Sequence, residues 1–165
     1  MGNAVAEEIS LRGKFNIEPG RYLAIIERKA AIAEMTARIG GIIGNGSAKE
    51  IEALGEYGRV LGTLGNIRHE FVDVFEREEL ENRVKNECLP LPILYAFQNK
   101  AVKRKIIPIL KEGTLTRENT FEIAQTVMTT KQVQELKVLM TQLANRAMNA
   151  LDFIENPEIV NKLVP

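Results

Sequence analysis

Apolar residues recur at intervals of three and four along nearly the whole chain, and this spacing constrains the fold more than any other feature of the sequence. Such spacing places apolar side chains on one face of an α-helix, and no stretch alternates in the way that predicts a half-buried strand. A chain of 165 residues, 45% of them hydrophobic, is long enough to bury a core. The sequence therefore predicts one all-α domain over residues 1–165, a helical bundle.

Proline, glycine and capping residues predict where the helices begin and end. Pro19 and Gly20 end an opening segment, and a helix is predicted over Tyr22–Ile43. Ser47 and Glu50 then form a capping box, since each side chain can accept from the other residue's backbone N–H group. The remaining predicted helices are a long one at about Ala48–Phe75, a short apolar one after Pro92, and three at about Ala101–Lys111, Arg117–Val127 and Lys131–Ile154.

Charge and cysteine content narrow the classes of function. Twenty-two basic residues balance 22 acidic ones, so no overall positive field favours nucleic acid or anionic lipid. Cys88 is the single cysteine, which excludes an intrachain disulfide and suits a reducing compartment. The start of the sequence lacks the pattern of a signal peptide, and no apolar run approaches the roughly 20 residues of a membrane span. We expect a soluble, cytoplasmic protein.

The end of the long helix carries side chains of the types that bind metal ions. Asn66, Glu70 and Asp73 lie at i, i+4 and i+7 on one helix face, and His69 lies four residues before Asp73. Magnesium commonly uses one or two carboxylates together with substrate phosphates. A solvated charged face is the alternative interpretation of the same spacing. A zinc site at His69 and Asp73 is disfavoured because no second pair of ligands is visible.

Four glycines follow one face of the same helix, namely Gly55, Gly58, Gly62 and Gly65. Each costs about 1 kcal/mol of helix stability relative to alanine, so their presence requires a structural reason. Either another helix approaches this face very closely, or the face lines a cavity for a long apolar ligand.

The last long helix carries a continuous apolar stripe with alternating steps of three and four residues. We interpret the stripe as the buried face of a bundle helix, and a coiled-coil contact with a partner is the alternative. The stripe consists of Val133, Leu136, Met140, Leu143, Ala147, Ala150 and Ile154.

Several segments resemble, in the same order, the motifs of the class I trans-isoprenyl diphosphate synthases. Those enzymes contain a helix of the pattern YLxxIxxKTA, then EYGxxLGxxFQxxDDxxD, then TLPxxYA. The matching segments here are YLAIIERKAA at 22–31, EYGRVLGTLGNIRHEFVD at 56–73 and LPILYA at 91–96, and ANRAMNAL at 144–151 resembles the closing helix. The resemblance implies the carboxy-terminal half of the isoprenoid synthase fold.

The resemblance also assigns roles to individual residues. Lys29 matches the diphosphate-binding lysine, and Asn66 stands where the family has a glutamine. The second aspartate-rich motif, DDxxD, becomes HEFVD, so Glu70 and Asp73 keep two metal-ligand carboxylates. His69 replaces the leading aspartate, which lowers the negative charge and predicts weak Mg²⁺ binding, or binding only in a complex.

Other positions depart from the family pattern. The lysine that precedes TLP in the family has no clean counterpart, because Cys88 stands there, and Arg83 or Lys85 is expected to supply the charge for the diphosphate. Gly65 replaces an aromatic residue and Gly55 a tyrosine, so bulk is removed beside a hydrophobic tunnel or a subunit interface.

The first aspartate-rich motif of the family has no counterpart, since only 21 residues precede Tyr22 and they contain no DDxxD. We therefore predict a subunit of a heteromeric synthase that is inactive alone. A helical partner chain would carry DDxxD and complete a composite site for an allylic diphosphate and isopentenyl diphosphate. The alternative is a non-catalytic modulatory subunit that binds a prenyl synthase and tunes its product length. The two differ in whether the HEFVD carboxylates take part in catalysis.

Overall fold

The fold, a computed structural model, is described for residues 2–163, and every regular element within that range is an α-helix. The prediction of an all-α fold is confirmed. None of the helices in the described range is long and apolar enough to cross a membrane. The helices are α1 (Gly2–Ser10), α2 (Pro19–Lys29), α3 (Ala31–Ile43), α4 (Ala48–Phe75), α5 (Arg77–Asn86), α6 (Leu91–Ala96), α7 (Lys100–Lys111), α8 (Arg117–Met128), α9 (Lys131–Leu151) and α10 (Pro157–Leu163).

The start of α4 is fixed by the predicted capping box. The backbone N–H of Ser47 donates to the Glu50 carboxylate over 2.9 Å, and the Glu50 N–H donates to the Ser47 hydroxyl over 3.3 Å. These bonds satisfy donors that a helix start leaves without partners. Asn45 precedes the box with φ of 55°, a left-handed conformation that asparagine tolerates in turns. The predicted beginning and end of α4 are confirmed.

The predicted helix over Tyr22–Ile43 is wrong in one respect, since it is broken at Ala30 into α2 and α3. Ala30 has φ of −68° and ψ of −9°, so its backbone stays in the right-handed region. Neither proline nor glycine marks the break, and apolar residues recur at helical spacing on both sides of it. Periodicity alone could not reveal the break.

Three helices were not predicted from the sequence. Helix α5 lies in the charged segment at 76–87 and buries only Leu80 and Arg83, so it lacks an apolar stripe. Helix α10 buries no residue completely. Helix α1 spans nine residues, of which Ala4 is buried. Short helices of this kind depend on tertiary contacts, because so few turns are marginal alone.

The described residues form two compact units, and α2, α4 and α9 contribute to both. Within the described range, the first unit comprises residues 2–26 and 67–138, and the second comprises residues 27–66 and 139–163. The prediction of a single domain stays a prediction. The fully buried side chains of the first unit include Leu11, Tyr22, Ile25, Ile67, Leu80, Leu91, Ile106, Leu110, Ile123, Val133 and Leu136.

The core of the second unit is formed by α4 and α9, with α10 packed against it. Within this unit, Ala147 and Ala150 of α9 are buried, and so is Ile154, which follows the end of the helix, while Val133 and Leu136 are buried within the first unit. The interpretation of the α9 stripe as a buried helix face is thus confirmed. The buried cluster of the second unit consists of Ala53, Tyr57, Val60, Ala147, Ala150, Leu151 and Ile154.

Candidate functional site

Four polar side chains from three helices meet in the interior of the first unit. Tyr22 lies on α2, Glu70 and Asp73 lie one turn apart on α4, and Arg83 lies on α5. Tyr22 is completely buried, and the side chains of Glu70 and Arg83 are each 7% exposed. We call these four residues the Arg83 cluster. Buried charges of this kind are tolerated only when they are paired and hydrogen-bonded.

Both carboxylate oxygens of Glu70 are engaged. Oε1 accepts a hydrogen bond of 2.9 Å from the Tyr22 hydroxyl. Oε2 accepts from Nη2 of Arg83 over 2.7 Å and from the backbone N–H of Leu91 over 2.9 Å. Leu91 is the first residue of α6, so Glu70 also satisfies a free donor at that helix start. Glu70 therefore ties α2, α5 and α6 to α4.

Arg83 donates hydrogen bonds both to the other members of the cluster and to the backbone just after α5. Nε donates to the carbonyl of Cys88 over 2.8 Å, and Nη1 donates to Oδ2 of Asp73 over 3.2 Å. Nη2 donates to the Tyr22 hydroxyl over 2.7 Å in addition to Glu70. Burial raises the pKa of Tyr22, so its hydroxyl stays protonated. The hydroxyl can donate to Glu70 over 2.9 Å or to Oε1 of Glu8 on α1 over 3.0 Å. The planar guanidinium suits this arrangement because its donors point in fixed directions.

Asp73 is the more accessible of the two α4 carboxylates, with 16% of its side chain exposed. Burial raises its pKa to about 6, and the charge of Arg83 opposes this shift. Arg83 compensates it only in part because the same guanidinium is shared with Glu70. Asp73 therefore carries less negative charge near neutral pH than an ordinary aspartate does.

The remaining predicted site residues do not join this cluster. His69 is exposed on α4, and Lys85 is exposed on α5, where it pairs with Glu81 over 3.3 Å. Lys29 and Asn66 are half-buried residues of the second unit. The predicted diphosphate site at Lys29, Asn66, Arg83 and Lys85 stays a prediction, with Arg83 already engaged by protein groups.

The residues present do not fit a magnesium ion as they are arranged here. Both carboxylate oxygens of Glu70 accept hydrogen bonds from protein donors, and Asp73 accepts one from the same Arg83 that binds Glu70. Magnesium needs accessible oxygen ligands in near-octahedral geometry. Across residues 2–163, no group of three or more His, Cys, Asp or Glu side chains is placed to hold a metal ion. The prediction of Mg²⁺ at His69, Glu70 and Asp73 therefore applies only to a rearranged or partner-bound state.

The glycine face of α4 is closely packed against α3 within the second unit. A β-carbon at Gly58 would lie 2.6 Å from the carbonyl oxygen of Ala33, and one at Gly62 would lie 2.8 Å from the Ala33 β-carbon. A β-carbon at Gly55 would lie 2.5 Å from Nε of the Arg38 side chain on α3. Gly65 differs, since nothing lies within 4 Å of its position. The close approach of α3, a helix of the same chain, accounts for Gly58 and Gly62, whereas Gly55 faces only the flexible side chain of Arg38.

An apolar cavity of about 550 Å³ lies beside this helix contact in the second unit. A cavity along the glycine face was one of the two alternatives predicted from the sequence, and Gly58 lies in its lining. That the lining also includes α3 and residues between 154 and 163 was not predicted. Leu163 closes one part of it, where its carbonyl accepts a hydrogen bond from the Tyr57 hydroxyl. Its apolar lining includes Ala33, Ala37, Leu54, Leu61, Ile154 and Ile159.

The sequence also missed Tyr22 and Arg83 as the partners of Glu70. Both belonged to motifs that were interpreted differently, Tyr22 as an apolar residue of a helix face and Arg83 as a ligand for diphosphate. The available signal was charge, since Glu70 and Asp73 of α4 are opposite in sign to Arg83 of α5. The burial that forces these side chains to pair is visible only in the structure.

The fold is shared with an enzyme of known structure. The crystal structure of a decaprenyl diphosphate synthase from Rhodobacter capsulatus superposes with a TM-score of 0.71 and 16% sequence identity. The match covers 99% of this chain and 55% of that one. The architecture is therefore that of an isoprenyl diphosphate synthase over about half its length.

Sequence comparison points to the same class of protein. A geranylgeranyl diphosphate synthase from Methanosarcina mazei is 26% identical over 146 residues, which are 85% of this chain and 44% of that protein. A short chain isoprenyl diphosphate synthase from Methanothermobacter thermautotrophicus is 32% identical over 116 residues, 66% of this chain and 36% of that protein. Geranylgeranyl pyrophosphate synthase 12, chloroplastic, from Arabidopsis thaliana is 39% identical over 71 residues, 42% of this chain and 20% of that protein. No protein-family model matches the chain.

The chain is thus a relative of the isoprenyl diphosphate synthases, and the resemblance predicted from its motifs is confirmed. It spans less than half the length of these curated relatives, 44%, 36% and 20% in turn.

Proposed function

We propose that this chain is a subunit of a heteromeric isoprenyl diphosphate synthase and that it modulates a catalytic partner without supplying metal ligands. The observation that carries this proposal is the engagement of both Glu70 oxygens by Arg83, Tyr22 and the backbone of Leu91. A carboxylate held in this way serves packing, because releasing it would deprive the buried Arg83 of its closest counter-charge.

The relationship to the synthases supports the partner half of the proposal. The described fold corresponds to about half of a complete synthase, and the sequence contains no DDxxD motif. Ionisation of an allylic diphosphate needs positive charge at the leaving diphosphate. The partner would supply that chemistry and bind the allylic diphosphate and isopentenyl diphosphate. This chain would alter the length of the product.

A composite active site is the second candidate, and the partial exposure of Asp73 favours it. Arg83 engages Oδ2 of Asp73 over 3.2 Å, the longest contact in the cluster. A diphosphate bound in the complex would compete for Arg83 and would release the α4 carboxylates as ligands. Lys29 and Asn66 would then be expected to contribute to the same site.

Substitution of the two carboxylates in the assembled complex separates these candidates. The complex is isolated with the tagged chain, and Glu70→Gln with Asp73→Asn is compared with Glu78→Gln, whose side chain is 89% exposed. Product formation and product length are measured by chromatography of the dephosphorylated prenols. We expect the turnover of the double variant to stay within about twofold of wild type.

A loss of turnover of about a hundredfold or more, with the complex intact, would instead establish the composite site. If no synthase chain assembles with the wild-type protein, the subunit proposal itself is wrong.

Magnesium provides a test on the isolated chain. A ligand at 100 times its dissociation constant stabilises a protein by about 2.7 kcal/mol, which thermal unfolding readily detects. We expect no change in melting temperature on adding MgCl₂ beyond that caused by KCl at equal ionic strength. A magnesium-specific increase in melting temperature that Asp73→Asn abolishes would contradict the conclusion that the Arg83 cluster does not bind the ion.

A further inference from the structure

The outward face of α3 carries no charged residue. Among the residues of α3, the exposed ones are all apolar, glycine or threonine. The five large ones are more exposed than most apolar side chains of a folded protein, from 46% at Ile32 to 77% at Ile43. These outward residues are Ile32, Met35, Thr36, Ile39, Gly40, Ile42 and Ile43. We call them the α3 outer face.

The opposite side of α3 is already packed within the second unit. Ala33 meets the glycine face of α4, and Gly41 lies against Leu54. The charged residues of α3 also turn toward that side, since Arg38 binds Glu52 over 2.7 Å and Glu34 binds Arg59. Helix α3 is therefore apolar on two sides. A helix with this pattern is normally buried all round.

The spacing of the α3 outer face is that of a helix-packing seam. Ile32, Met35, Ile39 and Ile42 follow one another in steps of three, four and three, the repeat of a and d positions in a coiled coil. Thr36 and Gly40 lie beside this row, and both line the apolar cavity of the second unit. Nothing lies within 4 Å of the β-carbon position of Gly40. The complementary shape is an α-helix with its own apolar seam.

We propose that the α3 outer face binds an apolar helix of the partner chain, the chain that supplies the part of the synthase fold absent here. This inference rests on the proposed function, and it names where the two chains meet. In the solved decaprenyl diphosphate synthase, the part matched by this protein is 55% of the chain. In the proposed heteromer, the rest of the fold belongs to the partner, and its helices are the natural occupants of a helix-shaped apolar seam.

The other apolar features differ from the α3 outer face. Gly58 and Gly62 of α4 are covered by α3. The α9 stripe is buried or half-buried within each unit. Phe75 and Phe121 of the first unit are 60% and 69% exposed and line one small pocket, and Val138 is 57% exposed on α9. The α3 outer face differs because five large apolar side chains share one side of a 13-residue helix.

A charge placed on the seam tests this inference. Ile39→Glu introduces a carboxylate at the middle of the α3 outer face, where Ile39 is 48% exposed. Val138→Glu is the matched control, since Val138 is 57% exposed on α9 and off the seam. Both variants are first checked by circular dichroism and thermal unfolding, and both are expected to fold as wild type because the substituted positions are exposed. Each is then tagged and isolated from the native host, with the co-purifying chain identified by mass spectrometry.

We expect the wild type and Val138→Glu to retain an isoprenyl diphosphate synthase chain that carries DDxxD. Ile39→Glu should reduce its recovery by about tenfold or more, because a charge is then buried in an apolar contact. Equal recovery with Ile39→Glu would overturn the α3 seam and leave the proposed function standing. Failure of the wild type to retain any synthase chain would overturn the proposed function. A wild-type homodimer that Ile39→Glu converts to monomer, seen by light scattering, would identify a second copy as the occupant and overturn the proposed partner.

Discussion

Arg83 determines, at the scale of single residues, what the carboxylates of α4 can do. Its guanidinium donates to Glu70, Asp73 and Tyr22, and its Nε holds the chain at Cys88. A bound cation would have to displace a neighbour that is already positively charged and hydrogen-bonded through all three of its nitrogens. The retained acidic residues thereby become part of the packing of the first unit.

The stability of the Glu70 and Arg83 pair can be measured directly. We expect Glu70→Gln to lower the free energy of unfolding by about 3 kcal/mol, since the guanidinium is left buried without its full counter-charge. Glu78→Gln is the control, and its exposed pair with Arg77 is expected to contribute less than about 1 kcal/mol. Urea titration followed by circular dichroism provides both values. A Glu70→Gln protein as stable as the control would show that the ion pair does not stabilise the fold.

At the scale of helices, the contact between α3 and α4 depends on the absence of side chains. Gly58 and Gly62 allow the α3 backbone at Ala33 to come close enough that a β-carbon would clash. The helix-stability cost of these glycines is offset by the packing that they permit. Gly65 lies beyond this contact and faces open space.

Alanine substitutions at two of these positions should therefore have opposite effects. Gly58→Ala is expected to destabilise the protein by about 1–3 kcal/mol because the added methyl overpacks the helix contact. Gly65→Ala is expected to stabilise it by up to about 1 kcal/mol, since alanine favours the helix and meets no atom within 4 Å. Thermal and urea unfolding of the two single variants gives the signs. Two effects of the same sign would contradict the assigned packing of α3 on α4.

The charged side of the same helix contact should respond to pH. Hydrogen bonds from Arg59 and Arg38 lower the pKa of Glu34. A carboxyl whose pKa is lower in the folded state stabilises the fold above its ordinary pKa, and this contribution is lost as the pH falls through the lowered value. Glu34→Gln is thus expected to reduce the free energy of unfolding by up to about 1 kcal/mol at pH 7 and to have little effect near pH 3. Unfolding of both proteins at the two pH values is the measurement, and a difference that grows in acid would refute it.

At the scale of the whole molecule, the exposed apolar surface of α3 is expected to determine the solubility and self-association of the isolated chain. Exposed contiguous apolar patches favour association. We expect the isolated chain to lack synthase activity and to self-associate at high concentration. Ile42→Ser with Ile43→Ser should raise its solubility with little loss of stability, because both side chains are exposed, at 59% and 77%. Light scattering over a concentration series is the test, and Phe121→Ser is the control. An equal gain from the control would show that the α3 surface is not responsible.

Much of the helix pattern could be predicted because it depends on local chemistry. The capping box at Ser47 and Glu50 and the long apolar periodicities located α4, α7, α8 and α9 to within about three residues. The break at Ala30 and helices α5 and α10 escaped prediction because they depend on tertiary contacts. Of the candidate site, the sequence identified Glu70, Asp73 and Arg83 as residues of interest, but it did not predict that they contact one another.

The sequence by itself determined that this protein is helical, that its motifs follow those of the isoprenyl diphosphate synthases, and that the 165 residues contain no DDxxD. These conclusions rest on residue spacing along one chain, which local propensity and motif order reveal directly. Only the tertiary structure decided that Arg83 engages Glu70, that the glycines of α4 receive α3, and that α3 presents an unpaired apolar face. Each of these depends on which distant residues are brought within a few ångströms, and burial then converts a candidate ligand into a packed ion pair.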